Sequence, residues 1–426
     1  MVAAAIALTC AAGTVAPPAP DAPPRLASPV AASATPPEAS SPELSASAAV
    51  PPVDAEAPRP GGLPLPRLQA ALRALGKNKE QGPHVRIVWL GDSHTAADYF
   101  THAVRRPLQE RFGNGGPGFV QLGVEPYRHA LLKVVREGNW RREPSSPAGS
   151  MKQLDGVFGL SGLRAVPVSA DARASVELSK SASTGKTRYS LWYRAKGPDR
   201  LRLSIRGTPQ VEHATAKSGR AVGALRVHDI ESSAPAALDI GVSGGAPEVF
   251  GVVVETVAPG VVLDTLGING ARASTPLAWN ESEWAAALSD RRPALVVIAY
   301  GTNEAASTLS ATRYEKTLED LVLRIRAATS QADCLILGPP DMATLDGKSA
   351  PRVVEFDQIA ARTATRLGCA HFSAWAAMGG EGGFARWMKE KPPLAAPDRV
   401  HLAPGGYERL GRALADALLE LIPEAE

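Results

Sequence analysis

The sequence predicts an α/β fold with a parallel sheet, interrupted by an inserted all-β sandwich, and three observations carry this expectation. "HVRIVWLGDS", "ALVVIAYGTNEA", "DCLILGPPDM" and "CAHFSAW" are near-continuous apolar runs of the kind buried on both faces of a parallel sheet. Helical patterns at Tyr314–Ala328, Val353–Leu367 and Gly405–Leu421 separate or follow the later runs, and strands alternating with helices make an α/β sandwich. Between about Gly138 and Gly260 the rhythm changes to short alternating runs such as "ASVELSK", "RLRLSIRG" and "VFGVVVETV", broken by Gly, Ser and Pro.

Taken in order, residues 1–16 are small and apolar and end like a secretory leader, although they lack a basic start and a good lipobox before Cys10. Export is therefore expected, to the periplasm, envelope or exterior, with a lipid anchor at Cys10 as a variant. Residues 17–66 are mostly Pro, Ala and Ser, cannot bury enough apolar surface to offset ordering entropy, and read as a disordered tether. Residues 67–137 form the first part of the α/β domain, 138–260 the β-sandwich, and 261–426 the second part. Within the first part, "HVRIVWLGDS" is a strand, and Thr95–Phe112 spaces Tyr99, Val104, Leu108 and Phe112 as one helix would.

Charge excludes one class of partner. A net charge of +3 from 46 basic and 43 acidic residues, with no basic block, makes nucleic acid a poor partner. No apolar run in the mature folded part is long enough to span a membrane. His and Cys spacing offers no metal site. Cys334 and Cys369 open neighbouring strands but are expected to stay buried free thiols, because a disulfide across adjacent parallel strands is awkward in geometry. Trp192 and Tyr193 are consecutive on one strand and point to opposite faces, one into the sandwich core and one outside it.

The chemistry concentrates at four places. Ser93 in "GDSH" follows a strand and precedes a helix, where parallel sheets bind ligands; it is placed either as a nucleophile or merely as a helix cap. Asp398 and His401 in "DRVH" have the spacing for a carboxylate to orient an imidazole, as a serine nucleophile's base requires, though a surface turn could hold the same pair. Gly270 in "INGA" and Asn303 in "GTNE" can donate to a developing oxyanion, or serve only as turn residues.

These four blocks, in this order, resemble those of the SGNH hydrolases, the GDSL-like esterases and lipases. The resemblance spans roughly residues 83–135 and 262–421. It implies a three-layer α/β/α, flavodoxin-like hydrolase domain, Ser93 as nucleophile, His401 as general base, Asp398 as its orienter, and oxyanion donors at the Ser93 and Gly270 amides and the Asn303 side chain. No cofactor or metal is implied. His94 replaces the Leu of G-D-S-L and Glu304 the Asp of G-x-N-D; Asp92 is expected to bond loop amides rather than act chemically.

"GDSHTAADYFT", "RFGNGGPGF" and "LGPPD", with the β-rich insert, look like the envelope O-acetylesterases and O-acetyltransferases that act on peptidoglycan, in which the insert is similar to a carbohydrate-binding module. The expected partner is an acetylated glycan. Three functions stay open: an acetylesterase, an acetyltransferase of the same fold, and a tethered glycan-binding protein with an idle hydrolase fold.

Overall fold

The computed structural model describes residues 63–78, 82–124, 127–146, 154–182, 185–215 and 218–422. The predicted leader, Cys10 and all but the last four residues of the predicted tether lie outside them. Helix α1 (Pro66–Lys77), strand β1 (Val85–Gly91), the one-turn helix α2 (Ser93–Ala96) and helix α3 (Tyr99–Phe112) come first. The insert then supplies β2 (Gly118–Val120), β3 (Leu132–Glu137), β4 (Trp140–Glu143), β5 (Arg164–Pro167), β6 (Arg173–Leu178) and β7 (Thr187–Arg194). It continues through β8 (Arg200–Ile205), β9 (Val211–Ala214), β10 (Arg220–Val222), β11 (Leu225–Ser232), β12 (Leu238–Gly244) and β13 (Glu248–Thr256). The α/β unit resumes with β14 (Val261–Gly267), α4 (Glu281–Arg291), β15 (Leu295–Ala299), α5 (Thr302–Ala305), α6 (Ala311–Ala328) and β16 (Asp333–Leu337). It closes with α7 (Pro351–Leu367), β17 (Ala370–Phe372), α8 (Ala374–Ala377), α9 (Gly383–Met388) and α10 (Pro404–Leu419).

The parallel sheet has the order β14-β1-β15-β16-β17. Counting only its own strands, that is the flavodoxin-like order 2-1-3-4-5, with the chain reversing direction across the sheet at β1 and β15. Alternation along β1 explains the three layers. Ile87 and Trp89 join α1, α3 and α10 in one core, while Val88 and Leu90 join α4, α6 and α7 in the other.

Two antiparallel sheets form the insert, β10-β11-β7-β13-β5-β4 with β2 on β13, and β3-β6-β12-β8-β9. Their shared core holds Tyr189, Leu191, Tyr193, Leu203 and Ile240. Because β2 and β3 already belong to these sheets, the sandwich takes strands from Gly118 onward, ahead of the boundary expected at 138. The first sheet also packs its other face on the α/β unit, where Trp192, Val227 and Phe250 share a core with Trp284 and Leu288. Trp192 and Tyr193 do face opposite ways, but both are buried. The expectation of an aromatic outside the core is thus corrected, since the second face of that sheet is an interface with the α/β unit.

Buried ion pairs reinforce this junction. Arg291 on α4 donates to Asp264 of β14 at 2.8 and 2.9 Å and reaches Glu255 of β13 at 2.9 Å, while Arg86 of β1 forks onto Glu255 at 2.7 and 2.9 Å. Burial raises the Glu255 carboxyl, but the two guanidiniums outweigh it and hold the group well below the ordinary range.

The single helix expected from Thr95 to Phe112 is two. Asp98, with φ of 59°, breaks it, and its wholly buried carboxylate takes Arg105 Nη2 at 2.7 Å, Thr101 Oγ1 at 2.6 Å and the Ala130 amide at 2.9 Å. A second correction concerns the thiols: Cys334 and Cys369 form a disulfide, with Cα atoms 4.9 Å apart. They open β16 and β17, and the register Leu335↔Ala370 puts them level on neighbouring strands, within ordinary bridging reach.

The disulfide spans a sequence separation of 35 residues, so chain-entropy arguments assign it about 3–4 kcal/mol of stability. Urea unfolding of Cys334→Ser/Cys369→Ser against oxidised wild type is expected to show a loss of that size, matched by wild type in reductant.

Candidate active site

Three strand ends meet at one edge of the sheet. Gly91 lies level with Gly267 on one side and Ala299 on the other, so the turns after β1, β14 and β15 are neighbours. Those turns carry Ser93, Gly270 and Asn303. Helix α2 sits directly on the strand ends, which only glycine permits. A Cβ on Gly91 would lie 2.1 Å from Thr95 Oγ1, and one on Gly267 would lie 2.3 Å from the Ala96 nitrogen.

Ser93 does not cap its helix. Asp92 does so, its Oδ1 accepting the His94 amide at 3.0 Å, which is the structural role expected of it. The Ser93 hydroxyl instead faces His401 Nε2 at 2.9 Å. On the other side of the ring, His401 Nδ1 meets Asp398 Oδ2 at 2.7 Å.

The segment that presents Asp398 and His401 is a tight loop between α9 and α10. An isolated bridge joins Ala395 to Leu402, the Ala396 amide donates to the His401 carbonyl at 2.8 Å, and Arg399 adopts a left-handed φ of 61°. The turn aims the Asp398 carboxylate back at its own loop, where its Oδ1 accepts the Val400 and His401 amides at 3.0 and 2.9 Å, leaving Oδ2 for the imidazole. Partial burial raises the Asp398 carboxyl, but these amides and the imidazole outweigh it and bring it below its ordinary value. The side chains of His401 and Asp398 are 42% and 51% exposed, so water reaches the pair.

Gly270 stands on an exposed turn with φ of 77°, a left-handed conformation that suits glycine. Asn303 is tied to the same turn: its Nδ2 donates to the Ala271 carbonyl at 2.9 Å, and an amide NH2 has a second hydrogen to offer. Glu304 holds the turn from beneath, with Oε1 accepting the Ala273 amide at 2.7 Å. Its burial raises the carboxyl above the ordinary range. The Glu in place of the commoner Asp thus serves to fasten the Gly270 turn to the Asn303 turn.

Sequence reasoning singled out His94 as a departure but not its partner. His94 is buried with Nδ1 2.9 Å from the hydroxyl of Tyr407 on α10. No local pattern marks Tyr407, because it is 313 residues away and its spacing is that of any core residue on a helix. Among the described residues no cluster of three or more His, Cys, Asp or Glu could hold a metal ion, and no helix is long and apolar enough to cross a membrane.

The chain is similar to known proteins. The model of the GDSL-like Lipase/Acylhydrolase family matches residues 240–409, a stretch that contains Gly270, Asn303, Asp398 and His401 and starts within the last strands of the insert that separates them from Ser93. A solved peptidoglycan O-acetylesterase is 28% identical, with 84% of this chain and 97% of that one covered at a TM-score of 0.70. A lipase/acylhydrolase from Enterococcus faecalis is 18% identical over 38% of this chain and 76% of its own, at a TM-score of 0.30. An acetyl xylan esterase is 17% identical over 39% of this chain and 82% of its own, at 0.29. Among curated protein sequences none matches.

Burial pushes the Asp92 carboxyl up to about 7; the His94 amide pulls it down and nearby Glu304 adds to the rise. The folded value lies above the ordinary 3.8, so stability is fully present below that pH and is lost as pH rises through 7. Asp92→Asn keeps the capping oxygen without the charge. Its melting temperature is expected to exceed that of wild type at about pH 8 and to match it near about pH 4, as thermal denaturation at the two pH values will read.

Proposed function

From the premise that this chain belongs to the GDSL-like lipase/acylhydrolase family, the SGNH hydrolases, and is a carboxylic ester hydrolase, we propose that it removes O-acetyl groups from a cell-wall polysaccharide, peptidoglycan in the first instance. The observation that carries the reading is the line of hydrogen bonds from the Ser93 hydroxyl through His401 to Asp398, at 2.9 and 2.7 Å.

In this reaction His401 Nε2 takes the Ser93 proton while Oγ attacks the acetyl carbonyl carbon. The oxygen that becomes negative is met by the Ser93 and Gly270 amides and by the second hydrogen of the Asn303 side chain. His401 returns the proton to the departing sugar oxygen, leaving acetyl on Ser93. It then deprotonates a water that attacks the acetyl carbon, and acetate leaves as Oγ recovers its proton. Asp398 keeps Nδ1–H in place and favours the imidazolium formed in each half.

Hydrolysis rather than transfer to a second sugar is supported by the exposure of His401 and Asp398, which lets water approach the base. Export is supported by the Cys334–Cys369 disulfide, a bond that persists in oxidising compartments. The solved neighbour that acts on peptidoglycan supports the choice of polymer.

Acetate release from p-nitrophenyl acetate and from O-acetylated peptidoglycan tests the reading. Ser93→Ala is expected to lose at least about a thousandfold in kcat, and Asp398→Asn on the order of ten-thousandfold with the fold intact. An added glycan acceptor is expected to leave acetate release unchanged; acetyl appearing on that acceptor would make the protein a transferase, and turnover independent of Ser93 would end the proposal.

A further inference from the structure

The loop that presents His401 is half-exposed and short, yet its imidazole must stay within hydrogen-bonding reach of a serine 308 residues earlier in the chain. Ser93 opens α2, and the next residue, His94, is buried and turned inward. Its Nδ1 lies 2.9 Å from the Tyr407 hydroxyl. Tyr407 stands in the first turn of α10, six residues after His401, where its amide donates to the Ala403 carbonyl at 3.1 Å.

We propose that His94 and Tyr407 are positioning residues that hold α10, and with it the His401 loop that leads into that helix, to the nucleophile's helix through the hydrogen bond between His94 Nδ1 and Tyr407 Oη. The inference rests on the reading of Ser93 and His401 as nucleophile and base. His94 directly follows the nucleophile and Tyr407 lies in the first turn of the helix that follows the base's loop, so their contact ties together the two segments whose separation sets the reactive distance. The Ala395–Leu402 bridge and the Ala396 amide shape the loop within itself, the Ala343 amide ties Arg399 to the segment after β16, and Arg106 pairs with Glu408 between α3 and α10, but of these contacts it is the His94–Tyr407 hydrogen bond that reaches α2 itself. The ring centres of His94 and His401 are 5.3 Å apart, so His94 also forms the wall against which the base rests. Burial, with His401 as the next cause, pushes the His94 pKa down to about 3. The wall is therefore uncharged and does not repel the imidazolium that forms at His401. Leu at this position, as in the plain G-D-S-L pattern, keeps the wall and loses the tether.

The test uses the full chain with His94→Leu, His94→Asn, Tyr407→Phe and the double variant His94→Leu/Tyr407→Phe, each checked for a wild-type-like melting transition. On p-nitrophenyl acetate, His94→Leu and Tyr407→Phe are each expected to lower kcat by about 10- to 100-fold with KM within about twofold, the cost of a loosened reacting geometry. The double variant should be no slower than the slower single one, because both cut the same connection. The His94→Asn variant, whose side-chain amide can place a hydrogen-bonding atom near the Nδ1 position, should recover part of the rate. A second readout is independent of turnover: the downfield Nδ1 proton of His401 in NMR, sharp in wild type and broadened by exchange in His94→Leu and Tyr407→Phe. Unchanged kcat and an unchanged proton signal in folded variants, or fully additive losses in the double variant, would overturn the inference. Should wild type itself lack Ser93-dependent turnover, the esterase reading falls, and the proton signal alone decides whether the connection positions His401.

Discussion

Everything at the site depends on how closely one short helix can lie on the ends of three parallel strands. The ladder β14-β1-β15 sets Gly91, Gly267 and Ala299 level, and α2 is laid across them with contacts too short for any side chain on the two glycines. That approach lets Asp92 cap the helix and leaves the hydroxyl of Ser93 to face another part of the chain. A helix lifted by one methyl group would move Ser93 away from both the Gly270 and Asn303 turns and from His401. The site is thus a consequence of backbone packing first and of side-chain identity second.

The insert is held by the same sheet that builds the site. Its first sheet is covered on both faces, by the second sheet and by the α/β unit, and the ion pairs of Arg86, Glu255, Asp264 and Arg291 cross that junction. Such buried charges stabilise only while every partner is present, so they fix where the insert sits more than they add to stability. Trp192 and Tyr193 are consumed by the two cores. Any recognition of glycan by the insert therefore has to use surfaces other than the strand on which they lie.

Opposite demands meet at the proposed base. His401 and Asp398 are open to water, as a hydrolytic second step needs, but openness leaves a loop free to wander. Order is imposed from behind the loop, by the Asp398 carboxylate gripping two amides and by the buried pairing of Tyr407 with His94. The disulfide contributes from the far side of the sheet's order, fastening the three-residue edge strand β17, from which the chain leads on toward the loop.

By itself the sequence determined the class of fold, the strands of the parallel sheet with the main helices between them, and the four turns on which the proposed chemistry rests. Those are local properties: apolar runs bounded by glycine, helical spacing, and Ser, Asn, Asp and His where a strand has just ended. The break at Asp98, the start of the insert at Gly118, the Cys334–Cys369 bond, the burial of Trp192 and the partnership of His94 with Tyr407 were decided only by the tertiary structure. Each depends on groups distant in sequence. A buried guanidinium makes the left-handed turn at Asp98 worth its strain, and a strand pairing far down the chain recruits β2. Register brings two sulfurs level, and a helix 313 residues away supplies the hydroxyl that His94 needs. Periodicity reports which face a residue shows to the core, but it carries no information about which partner waits there.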